Sequence, residues 1–164
     1  YRDWMFTDAK RKRDIPVRVY LPVSTKPAPV ILFSHGLGGS RSNNGYLGNH
    51  WAKRGYVVVH VQHPGSDDGV WKNTPSTQIR QVMAKAANAE NFTLRTQDIA
   101  ATLDQITAWS GAKDHLLFGR LDMTHVGMSG HSFGAVTTQA VSGQTACDRF
   151  ADQSGGYVQP FGSA

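Results

Sequence analysis

The sequence predicts an α/β fold, a doubly wound and mostly parallel sheet with helices on its faces. Three observations predict it. Val30-Ile31-Leu32-Phe33 and Tyr56-Val57-Val58-Val59-His60-Val61 are continuous apolar runs, the pattern of strands buried on both faces. Each run breaks into a Gly- or Pro-containing loop, Ser34-His35-Gly36-Leu37-Gly38-Gly39 and His63-Pro64-Gly65. Helical periodicities lie between and after the runs, so strand and helix alternate and the crossovers are expected to be right-handed.

The elements follow in order. Trp4-Met5-Phe6 and the alternating Val17-Arg18-Val19-Tyr20-Leu21 read as two N-terminal strands, the second an outer, half-buried one. The run Lys10-Arg11-Lys12-Arg13 between them reads as a solvated turn. Pro22, Pro27 and Pro29 mark a loop before the first buried strand. Asn43 or Asn44 caps a helix that carries Leu47, Trp51 and Ala52 and stops at Gly55. After His63 the chain turns polar, with a helix expected over 78–89. Leu94, Ile99, Leu103 and Ile106 then form an apolar stripe, with Arg95, Asp98 and Asp104 outside it, on a helix stopped by Gly111. Residues 123–129 read as a short strand, and Phe133 to Val141 as a small-residue helix ended by Gly143. From there to residue 164 the apolar patterning is lost. The expected organisation is one domain over 1–143, with its sheet unfinished on the C-terminal side, and an irregular tail over 144–164.

Composition narrows the function classes. Of 164 residues, 40% are hydrophobic and 18% charged, and no apolar run approaches the ~20 residues of a membrane span. The net charge of +5 is concentrated only at Lys10–Arg13 and accompanies no nucleic-acid-binding motif, so no nucleic-acid partner is expected. The single cysteine, Cys147, makes no internal disulfide and sits in a polar stretch without a following histidine. The chain opens at Tyr1 without a leader pattern, which implies a removed leader or an excerpt and leaves localisation open. No cofactor and no metal are expected, because no His, Cys and carboxylate set has ligand spacing.

The chemistry concentrates at Gly130-His131-Ser132-Phe133-Gly134. This Gly-x-Ser-x-Gly pentapeptide lies between an expected strand and an expected helix, the context in which a sharp turn presents a serine hydroxyl above the sheet. Glycines on either side avoid a collision, and the helix starting at Phe133 aims N–H groups and its positive dipole end at the reacting centre. His35-Gly36-Leu37-Gly38, after the earlier buried strand, offers a second backbone N–H. The loop lacks the Gly-Lys-Ser/Thr ending of a P-loop and the spacing of a dinucleotide fingerprint.

Together with Val17–Pro22 and His63-Pro64-Gly65-Ser66-Asp67, these segments resemble the α/β-hydrolase superfamily. Within it they look like dienelactone hydrolases and platelet-activating-factor acetylhydrolase-like esterases, over roughly 1 to 143. The resemblance implies that Ser132 is a nucleophile and that the backbone amides of Leu37 and Phe133 form an oxyanion hole. It also implies cleavage of short-acyl or lipid-like carboxylic esters, a small-molecule substrate, through an acyl-serine and without a metal.

One departure stands against the family pattern. There the triad acid and histidine follow the serine, and here no histidine follows Ser132: the seven are at 35, 50, 60, 63, 115, 125 and 131. Asp148 and Asp152 follow it with no room for an intervening strand. The triad acid and histidine are therefore not identified in this chain. His63, at the C-terminal end of a strand, is the best placed substitute base. His131 and His35 are expected in packing or bracing roles, His50 and His115 in solvent, and His60 and His125 packed within strands. Trp71 is a candidate for the acyl pocket wall or for the surface. The alternative function is a catalytically incomplete hydrolase-fold piece with a binding or assembly role, self-associating through the exposed edge of the strand that leads to Ser132.

Overall fold

The computed structural model describes residues 1–143. Five strands form one sheet in the order β1-β2-β4-β3-β5: β1 Arg2–Asp8, β2 Arg13–Tyr20, β3 Ala28–Ser34, β4 Val57–Val61 and β5 Leu121–Gly130. The two continuous apolar runs behave as that pattern requires, since β3 pairs in parallel with β4, and β3 also pairs in parallel with β5 on its other side. β1 and β2 form an antiparallel hairpin, and β2 joins β4 antiparallel. The sheet is thus mixed, parallel through β4-β3-β5 and antiparallel at its N-terminal side. β2 is interior and β1 takes the edge, because the aromatic segment around Trp4 pairs along the whole length of β2.

Four helices accompany the strands: α1 Gly45–Ala52, α2 Ser76–Ala86, α3 Ala89–Gly111 and α4 Phe133–Val141. Asn44 occupies the N-cap of α1 without a side-chain capping bond; the Asn43 carboxamide oxygen is turned back to accept from Ser40 N and Oγ. Asn88 caps α3 in the ordinary way, its side chain accepting from the Asn91 N–H. That cap starts α3 five residues before its expected apolar stripe and ends α2 at Ala86.

The main core lies on one face of the sheet. Val17, Val19, Val30, Leu32, Val59 and Val61 pack there with Ile99 and Ile106 of α3 and Val141 of α4. A smaller cluster of Tyr20, Ala52 and Val58, with Ile31 and Trp51 against it, joins α1 to the opposite face. Helices cover both faces, so the sheet is doubly wound.

The turn between β1 and β2 departs from the expected solvated loop. Arg11 Nη1 and Arg13 Nε each lie 2.8 Å from Asp98 Oδ1 on α3, and Arg13 Nη2 donates to the Pro64 carbonyl at 2.6 Å. Asp98, expected on the outer face of its helix, is fully buried as a result. β5 forms the other edge of the sheet, and its residues 124–127 are exposed. His125 is accordingly exposed and paired with Asp122 rather than packed. His115, expected in solvent, stacks on Trp109 with ring centroids 4.8 Å apart. No helix among the described residues is long and apolar enough to cross a membrane.

Candidate active site

Because β3 and β5 are parallel and Ser34 pairs with Gly130, the loops that follow them leave the same edge of the sheet side by side. The second loop is as short as a turn can be. His131 N–H still donates to the Ser34 carbonyl at 3.1 Å, as though the ladder continued, and α4 begins two residues later. Ser132 absorbs the reversal with φ 53° and ψ −117°, a backbone conformation that an L-residue holds only under constraint. The serine is exposed at the tip. Its hydroxyl makes no hydrogen bond to another described residue.

Both flanking glycines are demanded by contact. A methyl group on Gly130 would stand 2.2 Å from the Gly134 carbonyl oxygen, and one on Gly134 would stand 1.9 Å from that of Ser34. Gly36 closes the other side, where an added methyl would meet His131 Nδ1 at 3.0 Å and Ser132 Cβ at 3.4 Å. The His35–Gly38 loop therefore lies directly against the serine turn. Among the described residues the N–H groups of Leu37 and Phe133 have no acceptor, Phe133 being the first residue of α4.

The glycine loop is held from behind. Gly38 N–H donates to Ser66 O at 2.9 Å, Asp68 N–H donates to Gly39 O at 2.8 Å, and Trp71 Nε1 donates to Gly38 O at 2.7 Å. His35 is buried at the start of the loop. Its Nε2 accepts from the His63 N–H at 3.0 Å, which places the ring proton on Nδ1, donating to Gly36 O at 2.7 Å. Its bracing role agrees with expectation.

His63 does not fit the role of substitute base. Its Nδ1 lies 3.0 Å from Asp98 Oδ2 and its Nε2 lies 2.9 Å from Ser34 Oγ, with all three side chains fully buried. The Asp98 carboxylate can only accept, so Nδ1 carries the proton and Nε2 accepts from the Ser34 hydroxyl. Ser34, His63 and Asp98 thus form a complete hydroxyl–imidazole–carboxylate relay, sealed from solvent. Burial drives the imidazoles neutral: His63 is lowered to about 4, partly offset by the bond to Asp98, and His35 to about 3, with the charges of His63 and Arg95 adding to its burial. Burial pushes the Asp98 carboxyl up, but the bonds from His63 and Arg13 outweigh it, and its pKa lies below the usual carboxylate range.

Sequence reasoning missed Ser34, Arg95, Asp98 and Thr137, all fully buried around this site. One signal was available. Arg95, Ile99, Thr102 and Ile106 recur at helical spacing on α3, so Arg95 shares the stripe that faces the core rather than lying outside it. Asp148, Asp152 and Cys147 fall outside the described residues, as does the rest of the 144–164 segment.

A family model described as platelet-activating factor acetylhydrolase, isoform II, matches residues 5–106, well over half of the chain. The matched stretch includes the glycine loop, His63, Arg95 and Asp98. Among solved structures, a ferulic acid esterase from Streptomyces cinnamoneus superposes with a TM-score of 0.61 at 19% identity, over 83% of this chain and 52% of its own. An acylaminoacyl peptidase from Pyrococcus horikoshii superposes with a TM-score of 0.60 at 20% identity, over 87% of this chain and 21% of its own. The chain therefore spans about half of the first and a fifth of the second. At these identities the likeness speaks to the fold, which is that of the α/β hydrolases.

Proposed function

The chain belongs to the platelet-activating factor acetylhydrolase isoform II family, and from that premise we propose that it carries the nucleophile and oxyanion hole of a serine hydrolase acting on carboxylic esters. The observation that carries this reading is the exposed, constrained Ser132 packed against the glycine loop, with the N–H groups of Leu37 and Phe133 lacking acceptors among the described residues. Ser132 Oγ attacks the ester carbonyl carbon while its proton passes to a general base. The carbonyl π bond becomes an oxyanion that accepts from the two N–H groups. Collapse expels the alcohol, and water then releases the acid from acyl-Ser132. His63 is committed to Ser34 and Asp98, and the general base and its acid partner are not identified among the described residues.

Substrates of the proposed activity are short-acyl or lipid-like esters, which the family description favours over dienelactones. Trp71 and Met83, the side chains nearest Gly38, are positioned to meet the substrate beside the oxyanion loop. Hydrolysis of p-nitrophenyl acetate and butyrate by the full-length protein tests the proposal. Ser132→Ala is expected to lower turnover by at least ~10³-fold, and turnover unchanged by that substitution would refute it.

A further inference from the structure

The side chain that ties the site together is Arg95 on α3. It is fully buried, and its hydrogen bonds reach the end of β3, the root of the glycine loop, the loop after β4 and helix α4. Nη2 donates to Ser34 Oγ at 3.0 Å and, by a short contact, to the His35 carbonyl at the root of the glycine loop. Nη1 donates to Ser66 Oγ at 2.9 Å, in the residue whose carbonyl holds Gly38 N–H. Nε donates to Thr137 Oγ1 at 3.1 Å, one turn into α4. The guanidinium carbon also lies 4.7 Å from the centre of the Phe133 ring, a cation–π contact to the residue that opens α4.

These bonds all go to neutral acceptors, although taking a cation out of water costs several kcal/mol. Packing alone does not require that. An apolar side chain would fill the same volume without the desolvation penalty, but would leave the loops after β3 and β5 joined only by the His131–Ser34 hydrogen bond and the close glycine contacts. The planar guanidinium fork holds several acceptors at fixed angles at once, which an ammonium cannot do.

We propose that Arg95 is a positioning residue for the oxyanion hole, fixing the separation of the Leu37 and Phe133 N–H groups by binding the glycine loop and the nucleophile helix to one rigid plane. This rests on the serine hydrolase reading above. An oxyanion donor contributes only when it sits at hydrogen-bond distance from where the charge develops, so slackening that separation lowers the rate of acylation more than it weakens substrate binding. Ser34 and the His63–Asp98 pair act behind it, since the Ser34 hydroxyl, donating to His63, turns its lone pairs to Arg95.

The test uses the full-length protein, with active sites counted by fluorophosphonate titration so that kcat is expressed per competent site. Arg95→Met is expected to lower kcat for p-nitrophenyl acetate by about 10²-fold with KM changed less than about threefold, and to weaken inhibition by an arylboronic acid, which mimics the tetrahedral oxyanion, by a similar factor. Arg95→Lys, which keeps the charge and loses the fork, is expected to lose most of the same rate. Where Arg95→Met fails to fold, the near-isosteric Thr137→Val removes the Arg95 hydrogen bond to α4 together with the bond from the Thr137 hydroxyl to the Phe133 carbonyl, and is expected to cost about tenfold in kcat. A per-site kcat within threefold of the parent in Arg95→Met or Thr137→Val, or full activity in Arg95→Lys, overturns the inference. Turnover that survives Ser132→Ala overturns the underlying reading instead, and the two failures are separable.

Discussion

A methyl group on Gly134 would stand 1.9 Å from the Ser34 carbonyl oxygen, and that oxygen already accepts from His131 N–H across the β3–β5 ladder. Neither backbone can retreat without breaking strand pairing. Gly134→Ala is therefore expected to destabilise the fold by about 3 kcal/mol or more, measured as the midpoint of urea unfolding, whereas Ser132→Ala, at an exposed site, is expected to change stability by less than ~1 kcal/mol. The two substitutions separate the close packing of the glycines from the chemistry proposed for the serine. The strand–turn–helix setting and the need for both glycines were legible in the sequence because a Gly-x-Ser-x-Gly turn between strand and helix has few physical solutions. The fate of His63 was not, since its partners stand 29 and 35 residues away in sequence.

Helix α3 shows where reading by polarity fails. Its apolar positions Leu94, Ile99, Leu103 and Ile106 locate the helix well, yet the face it turns inward also includes Arg95, Thr96, Asp98 and Thr102. Charges read as a solvated face when their partners are unknown. Here the partners arrive from the β1–β2 turn, through Arg11 and Arg13, and from the loop after β4, through His63. Removing the Asp98 charge leaves the Arg11 and Arg13 guanidinium groups without their shared carboxylate and the buried His63 Nδ1–H without its charged acceptor, so Asp98→Asn is expected to cost about 3–5 kcal/mol. Equilibrium denaturation checks this, and a loss below ~1 kcal/mol would mean that the cluster is solvated. The strands were more legible than this helix, because continuous apolar runs in β3 and β4 admit a single explanation. The antiparallel β1–β2 side was less so, since alternation alone does not say which strand is the edge.

At the scale of the whole molecule, burial of imidazoles makes stability depend on pH. His35 is lowered to about 3, and His60 and His63 to about 4, in each case chiefly by burial, against about 6.5 in an unfolded chain. Below pH ~6.5 the unfolded state takes up protons that the folded state refuses. Stability is therefore full above that pH, falls through the window from about 6.5 down to about 4, and flattens below the folded-state values. Each histidine contributes a slope of about 1.4 kcal/mol per pH unit within the window. Urea midpoints at pH 7.5 and pH 5 are expected to differ clearly, and equal midpoints would mean that these rings are not held neutral.

The central claim is that Ser132 is a nucleophile. The most direct measurement is mass spectrometry of the full-length protein after reaction with a fluorophosphonate, followed by peptide mapping. The account predicts one adduct per chain, on the peptide carrying Ser132 and absent in Ser132→Ala. A folded, ester-hydrolysing protein that is modified at another residue, with Ser132 left unlabelled, would contradict it.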